Sequence, residues 1–274
     1  MLSLMSLQNR ASVGRLLPWV IFVFVFAALT ILVLKRYSRD SPPPATTSQP
    51  VVSSKALPVA GANNSSSNLA VTNQPGAGGQ EDRVVALITE GNRFLAQGDY
   101  ATAARQYEQA VAISPDQEDL HYNLAIALAR LGKTEEAKKH YKEALRIFPD
   151  YGEAHNNLGN LLMNENKLDE AIARFREAIR NMPENASFHN NLGTAFGRQG
   201  KTAEAMGEFE EAIKRAPAYV EARVNLANAF LATGRVEEAI AQLTEALRLK
   251  PDFEPALQAM QRARQRQDSS RAKK

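Results

Sequence analysis

The hydrophobic and polar positions of this chain divide most of its length into three regions. Residues 16–34 contain no charged side chain and are almost entirely apolar. Residues 35–82 are rich in Pro, Ser, Thr and Asn and contain few large apolar residues. Between residues 84 and 253 the apolar positions follow the spacing i, i+3, i+4 and i+7, which predicts a series of amphipathic helices.

The helical region repeats itself five times with a period of 34 residues, as units 84–117, 118–151, 152–185, 186–219 and 220–253. Neither an insertion nor a deletion interrupts this period. Three sets of identical residues fix the register: Pro115, Pro149, Pro183, Pro217 and Pro251; Ala103, Ala137, Ala171, Ala205 and Ala239; and Ala110, Ala144, Ala178, Ala212 and Ala246. A repeat of this length predicts a solenoid in which each unit packs on its neighbours.

Each unit carries two helical patterns, and its positions are numbered here from 1 to 34. Positions 4, 7, 8 and 11 form the apolar stripe of the first helix, and position 8 is always Gly or Ala. The second helix has Ala at positions 20 and 27, a bulky residue at 24 and Pro at 32, which ends it. A turn between the helices is predicted at position 15, which holds Gly98, Gly132, Asn166, Gly200 and Gly234.

This pattern resembles the tetratricopeptide repeat over about 170 of the 274 residues. The phrases His155-Asn-Asn-Leu-Gly and His189-Asn-Asn-Leu-Gly are similar to the repeats of O-linked N-acetylglucosamine transferase, whose catalytic domain has no counterpart here. The resemblance implies an all-α fold: a right-handed superhelix of five antiparallel helix pairs over residues 83–253. A capping helix is predicted at 254–267, followed by a basic tail at 268–274.

Position 4, where the family has tryptophan, holds Leu87, His121, His155, His189 and Arg223. Equivalent residues of neighbouring repeats lie at least about 8–10 Å apart, the distance between packed helices. A zinc ion needs its ligands at about 2 Å, so the three histidines cannot share one. They are interpreted as half-buried substitutes for the tryptophan, and no metal site is predicted.

Positions 2, 5, 6, 9 and 13 of the first helices are expected to line the concave groove, in which asparagine dominates. The predicted groove residues are Asn92, Tyr122, Asn123, Asn156, Asn157, Asn160, Asn190, Asn191, Asn225 and Asn228. An amide side chain both donates and accepts, so it can pair with both groups of a peptide unit. The resemblance implies an asparagine ladder that binds extended peptide. If these side chains serve binding and not packing, replacing Asn157, Asn191 and Asn225 by alanine should leave stability nearly unchanged. The alternative is a solvated polar face copied by duplication.

Composition excludes several classes of chemistry. The chain has no cysteine, and no nucleophile, phosphate-binding loop or acid–base pair is recognisable, so no enzyme activity and no cofactor are predicted. The net charge of +3 comes from the chain ends, because residues 84–253 contain 20 Lys and Arg against 25 Asp and Glu. Nucleic acid is therefore not an expected partner.

Residues 16–34 are just long enough to span a hydrocarbon core of about 30 Å, and they predict one transmembrane helix behind a short tail at 1–15. A cleaved signal peptide is the alternative. Residues 35–82 predict a disordered linker. The arrangement favours a single-pass membrane protein with its repeats outside the cytoplasm.

Together these features predict a membrane-anchored adaptor that captures a protein or peptide segment in the groove of its repeats. The alternative is a non-catalytic regulatory or substrate-recruiting subunit of a separate enzyme, such as a glycosyltransferase or a cell-envelope machine. In both hypotheses the partner is a protein.

Overall fold

The computed structural model describes residues 77–271, which form eleven α-helices. Residues 1–76 and 272–274 lie outside this range, and so do most of the predicted linker and the predicted N-terminal tail. The helices are α1 Ala77–Gln97, α2 Tyr100–Ile113, α3 Glu118–Arg130, α4 Thr134–Ile147, α5 Gly152–Asn164, α6 Leu168–Asn181, α7 Ala186–Arg198, α8 Thr202–Arg215, α9 Val220–Ala232, α10 Val236–Leu249 and α11 Glu254–Arg271.

The helix boundaries follow the 34-residue period that the sequence predicts. The first helices α3, α5, α7 and α9 occupy positions 1–13 of their units, and the second helices α2, α4, α6, α8 and α10 occupy positions 17–30. Two helices depart from the predicted bounds: α1 begins at Ala77, within the predicted linker 35–82, and α11 continues to Arg271, past the predicted end of the capping helix at 267. Residues added to the end of a helix that already exists avoid the cost of nucleation, which favours such an extension.

The turn at position 15 is closed in the same way in every unit. Gly98, Gly132, Gly200 and Gly234 have φ between 76° and 78°, and Asn166 in the third unit has φ 62°. The next backbone N–H then reaches back to the first helix, as when Lys133 N donates to Leu128 O at 2.9 Å. This left-handed turn satisfies carbonyl groups at the end of the first helix and reverses the chain.

The two helices of a unit approach closely because position 8 is small. A Cβ atom placed on Gly159 would lie 2.7 Å from Cε1 of Phe175, and one on Gly193 would lie 2.7 Å from Cε1 of Phe209. The alanines at positions 20 and 27 are at most 1% exposed. Each unit is therefore built around a bulky residue at position 24 that covers a small residue at position 8.

Units stack so that their first helices form a continuous wall. Helix α5 contacts α7, α7 contacts α9, and α9 contacts α11, in addition to the contacts between consecutive helices. Side-chain hydrogen bonds also join α3 to α5. We call the surface formed by α3, α5, α7, α9 and α11 the inner wall.

Helix α11 extends this wall as the first helix of an incomplete sixth unit, since Glu254 lies 34 residues after Val220. Its buried residues are Ala256, Ala259, Met260 and Ala263, whereas Leu257 is 42% exposed. At positions 8 and 11, where a second helix would pack, α11 carries Gln261 and Arg264, and both are exposed. A polar outer face is what a terminal capping helix requires.

The prediction of a single-pass membrane protein requires correction. Within 77–271 no helix is long and apolar enough to cross a membrane. Helices α2 to α10 have 13 or 14 residues, about 20 Å, against a hydrocarbon core of about 30 Å. The longer α1 and α11 carry several charged side chains. The predicted transmembrane helix at 16–34 lies outside the described residues. The described part of the chain is an all-α solenoid, and the single-pass localisation is withdrawn.

The contact between positions 8 and 24 yields a prediction within one unit. Changing Gly193→Ala places a methyl group against the Phe209 ring and 3.1 Å from the carbonyl oxygen of Ala205, so we expect a loss of about 1–3 kcal/mol in unfolding free energy. Gly207→Ala in α8 is the control, because nothing lies within 4 Å of its Cβ. It should stabilise by about 0.5–1 kcal/mol. Equal effects in urea denaturation would contradict the packing described.

Candidate functional site

Amide side chains connect neighbouring helices of the inner wall. Asn191 Nδ2 donates to Asn156 Oδ1 at 2.8 Å, and Asn225 Nδ2 donates to Asn190 Oδ1 at 2.9 Å. At the preceding junction Asn157 Nδ2 donates to the Tyr122 hydroxyl at 3.2 Å. In each case the side chain at position 6 of one unit donates to the side chain at position 5 of the unit before it. The same hydrogen bond therefore recurs at three successive junctions along the wall.

These bonds change the roles of the predicted groove residues. Tyr122, Asn156 and Asn190 at position 5 are 1%, 8% and 8% exposed, so they lie between helices and not on an open surface. Position 6 is half-buried in the last three units, and its amide nitrogen holds the units together. The expectation that alanine at 157, 191 and 225 would leave stability nearly unchanged is therefore revised.

Hydrogen-bonding capacity nevertheless remains on the wall. Asn191 Oδ1 and Asn225 Oδ1 accept no bond from any described residue, and Asn160 at position 9 is half-buried and forms no side-chain bond within the described range. By contrast, Asn92 Oδ1 accepts from the Tyr107 hydroxyl at 2.7 Å, and Asn228 Oδ1 accepts from Arg262 at 3.2 Å. The open amide groups of the described wall thus concentrate on α5, α7 and α9.

The junction of the second and third units contains a cluster of tyrosines that sequence analysis did not find. The Tyr151 hydroxyl donates to Asp119 Oδ1 at 2.7 Å, and its ring lies 4.7 Å from that of Tyr122. The Tyr141 ring lies 6.0 Å from the Tyr122 ring. Burial raises the pKa of Tyr122 and of Tyr141, so both hydroxyls stay protonated. The only sequence signal was tyrosine at positions 5, 24 and 34 of one unit.

Asn123, a predicted groove residue in the same unit, is only 9% exposed and is therefore buried.

The position-4 histidines have a structural role. His121, His155 and His189 are 5–6% exposed, so they are more deeply buried than the half-buried state expected. Each points Nε2 at the carbonyl oxygen of the position-32 proline in the preceding unit, at 2.8, 2.9 and 3.2 Å. Arg223 bonds the Pro217 carbonyl oxygen in the same way. Position 4 thus ties each unit to the end of the previous one.

The second nitrogen of these histidines faces position 23, where the partner differs among units. His121 Nδ1 lies 2.9 Å from His140 Nδ1, and His189 Nδ1 lies 2.7 Å from Glu208 Oε2. His155 Nδ1 has no partner within the described residues. Burial lowers the pKa of His155 and of His140, so both are held neutral at pH 7. No group of three or more potential metal ligands occurs between residues 77 and 271.

The two rims of the inner wall carry opposite charges. Position 2, near the start of each first helix, holds Asp119, Glu153 and Glu221, whereas position 13, at the end, holds Arg130, Arg198 and Arg266. Acidic groups near the start and basic groups near the end of a helix are stabilised by its dipole. The wall is therefore neutral and amide-rich in the middle and charged along both edges.

Three family models match the chain, one described as a TPR repeat over residues 91–132 and two as tetratricopeptide repeats over 128–192 and 190–252. Together they cover residues 91–252, within the five units found in the structure. These residues are tetratricopeptide repeats. No curated protein matches its sequence.

Solved tetratricopeptide structures share this fold at low sequence identity. MamA from Desulfovibrio magneticus RS-1 is 18% identical, with a TM-score of 0.58 over 63% of this chain and 98% of its own. YrrB, whose structure is titled a TPR protein with an unusual peptide-binding site, is 20% identical, with a TM-score of 0.55 over 65% and 92%. PilF from Pseudomonas aeruginosa is 22% identical, with a TM-score of 0.55 over 68% and 90%. At this identity the likeness establishes the fold alone.

The amide bonds between tetratricopeptide units yield a prediction about stability. Changing Asn191→Ala removes the donor to the buried Asn156 Oδ1, and an unsatisfied buried acceptor costs about 1–3 kcal/mol. We expect a loss of that size in unfolding free energy from urea denaturation. Asn160→Ala is the matched control, since Asn160 lies on the same wall and has no described partner. It should stay within about 0.5 kcal/mol of the parent protein. Similar losses for both would contradict a structural role for the amide bonds.

Proposed function

We propose that this protein is a non-catalytic adaptor whose inner wall binds an extended segment of a partner protein. The observation that supports the proposal most is the set of open amide groups on three successive first helices: Asn191 and Asn225 at position 6 of α7 and α9, and Asn160 at position 9 of α5. Asparagine forms helices less readily than Glu, Lys or Gln, so its repeated use on one face has a cost that a solvated surface would avoid.

The chemistry of these groups suits a peptide backbone. An asparagine oxygen accepts from a backbone N–H, and the second hydrogen of its amide nitrogen donates to a backbone C=O. In Asn191 and Asn225 the first hydrogen is already used between units, so these two amide planes are held in place before a ligand arrives. Such preorganisation reduces the entropy that binding would otherwise cost.

The fold and composition agree with this proposal. A tetratricopeptide solenoid presents an extended inner surface, and YrrB, a structural relative, is titled as having a peptide-binding site. The asparagine-rich phrases at His155 and His189 are similar to those of O-linked N-acetylglucosamine transferase, which suggests a comparable way of holding peptide. Within the described residues the inner wall contains no arrangement of nucleophile and base.

The test is peptide affinity measured on the full chain. Displayed peptides of about 16 residues, which span about 50 Å when extended, would be selected against the protein, and the affinity of a selected peptide would be measured by calorimetry. The double variant Asn160→Ala, Asn191→Ala should bind about tenfold or more weakly, because two hydrogen bonds of about 0.5–1.5 kcal/mol each are lost.

The matched control is Asn181→Ala in α6, which changes an asparagine outside the inner wall. It should bind as the parent protein does, and circular dichroism should confirm that both variants are folded at the temperature of measurement. Undiminished binding by the folded double variant, or no peptide selected by the parent protein, would overturn the proposal.

A further inference from the structure

Two arginines without carboxylate partners lie at the end of the inner wall nearest the C-terminus, on α11, and a third lies on α7, in the middle of the wall. Arg198 and Arg266 occupy position 13 of α7 and α11, and Arg262 occupies position 9 of α11. All three side chains are exposed. None of the three guanidinium groups lies within 4.0 Å of a carboxylate oxygen of the described residues, and the same is true of Arg130 and Arg264.

These arginines are held in place by neutral oxygen atoms. Arg198 Nη1 donates to the Met163 carbonyl oxygen at 2.7 Å, and Arg266 Nη1 donates to the Leu231 carbonyl oxygen. Arg262 Nη2 donates to Asn228 Oδ1 at 3.2 Å. A neutral acceptor fixes the direction of a guanidinium without neutralising its charge, and most of its five N–H donors stay available.

Capping of the preceding helix accounts for part of this arrangement. Arg198 and Arg266 each reach the end of the first helix in the unit before, where a cation is stabilised by the dipole. Arg262 has no such role, because its partner is an asparagine side chain on the wall. Arg262, Gln265, Arg266, Ser269 and Ser270 also line one surface depression along α11.

We propose that the C-terminal end of the wall binds the acidic portion of the partner peptide, so that the amide groups hold its backbone while Arg262 and Arg266 select carboxylate side chains, with Arg198 further along the wall as an additional contact. Arginine suits this role because its planar fork pairs with a carboxylate in a bidentate manner. The inference depends on the proposed peptide-binding function and names its ligand as an acidic segment. A peptide is favoured over nucleic acid because the wall beside these arginines presents neutral amide groups, which can pair with both groups of a peptide unit.

The surrounding charges support this choice of ligand. The acidic residues Asp119, Glu153 and Glu221 lie on the opposite rim, at position 2 of their helices, so they do not neutralise the arginines at position 13. On α11 the acidic residue Asp268 forms no ion pair with a described residue. An incoming segment with clustered Asp or Glu is therefore attracted to the arginine end of the wall and repelled by the other rim.

The test selects displayed peptides of about 16 residues with the full chain and with the double variant Arg262→Gln, Arg266→Gln. The parent protein should select peptides with Asp or Glu concentrated at one end, and the variant should select peptides without this excess. A selected peptide should bind the variant about tenfold more weakly, since two exposed ion pairs contribute a factor of up to about five each. Replacing its carboxylates by amides should remove that difference.

Arg264→Gln is the control, because it removes one positive charge from the outer face of α11 and should leave affinity unchanged. Selected peptides without an acidic excess, or equal affinity of the double variant, would overturn this inference while leaving the proposed function standing. Failure of the parent protein to select any peptide would overturn both. Tighter binding of a single-stranded DNA oligonucleotide than of the acidic peptide, abolished in the double variant, would assign the arginines to nucleic acid and also overturn it.

Discussion

The close approach of two helices over a small residue is the constraint on which the rest of this structure depends. With Gly159 or Gly193 at position 8, the Phe ring at position 24 packs directly against the backbone of the first helix. The tight pair fixes the crossing of the two helices, and the left-handed residue at position 15 fixes the turn between them. Because the same geometry recurs every 34 residues, each unit presents the same positions to its neighbours.

That recurrence explains how an asparagine can serve both structure and binding. One amide hydrogen of Asn191 or Asn225 is used to hold the preceding first helix, so the side chain has a fixed orientation. The oxygen atom of the same amide accepts no bond from a described residue, so it stays available on the inner wall. A substitution at position 6 therefore affects stability as well as any binding, whereas position 9, at Asn160, reports on the wall alone. A substitution at position 9 can therefore separate an effect on binding from an effect on stability, whereas a substitution at position 6 cannot.

The repeating features of the fold could be predicted from sequence because each corresponds to a local rule. Proline at position 32, glycine or asparagine at position 15 and alanine at positions 20 and 27 specify helix ends, turns and close packing, and the structure confirms them. The start of α1 at Ala77 could not be predicted in this way, because residues 77–83 carry no apolar periodicity and only extend the helix that the pattern from residue 84 onward predicts.

The candidate site was predictable only in part. The sequence indicates which residues lie on the first helices, but a helical wheel cannot say that position 5 faces the next unit and position 6 the wall, because that depends on how units rotate relative to one another. The bond from His155 to the Pro149 carbonyl oxygen is a contact between units, and the tyrosine cluster around Tyr122 joins the two ends of one unit. Such contacts join residues about 6 or 30 positions apart, which no local pattern encodes.

The central claim is that a partner binds the inner wall and not the outer surface formed by the second helices. Site-specific photo-crosslinking tests it directly, with a photoreactive amino acid placed at Asn160 on the wall or at Lys139 on the exposed face of α4. The claim predicts a discrete set of protein adducts from position 160 and none above background from position 139. Equal adducts from both positions, or adducts from position 139 alone, would contradict it.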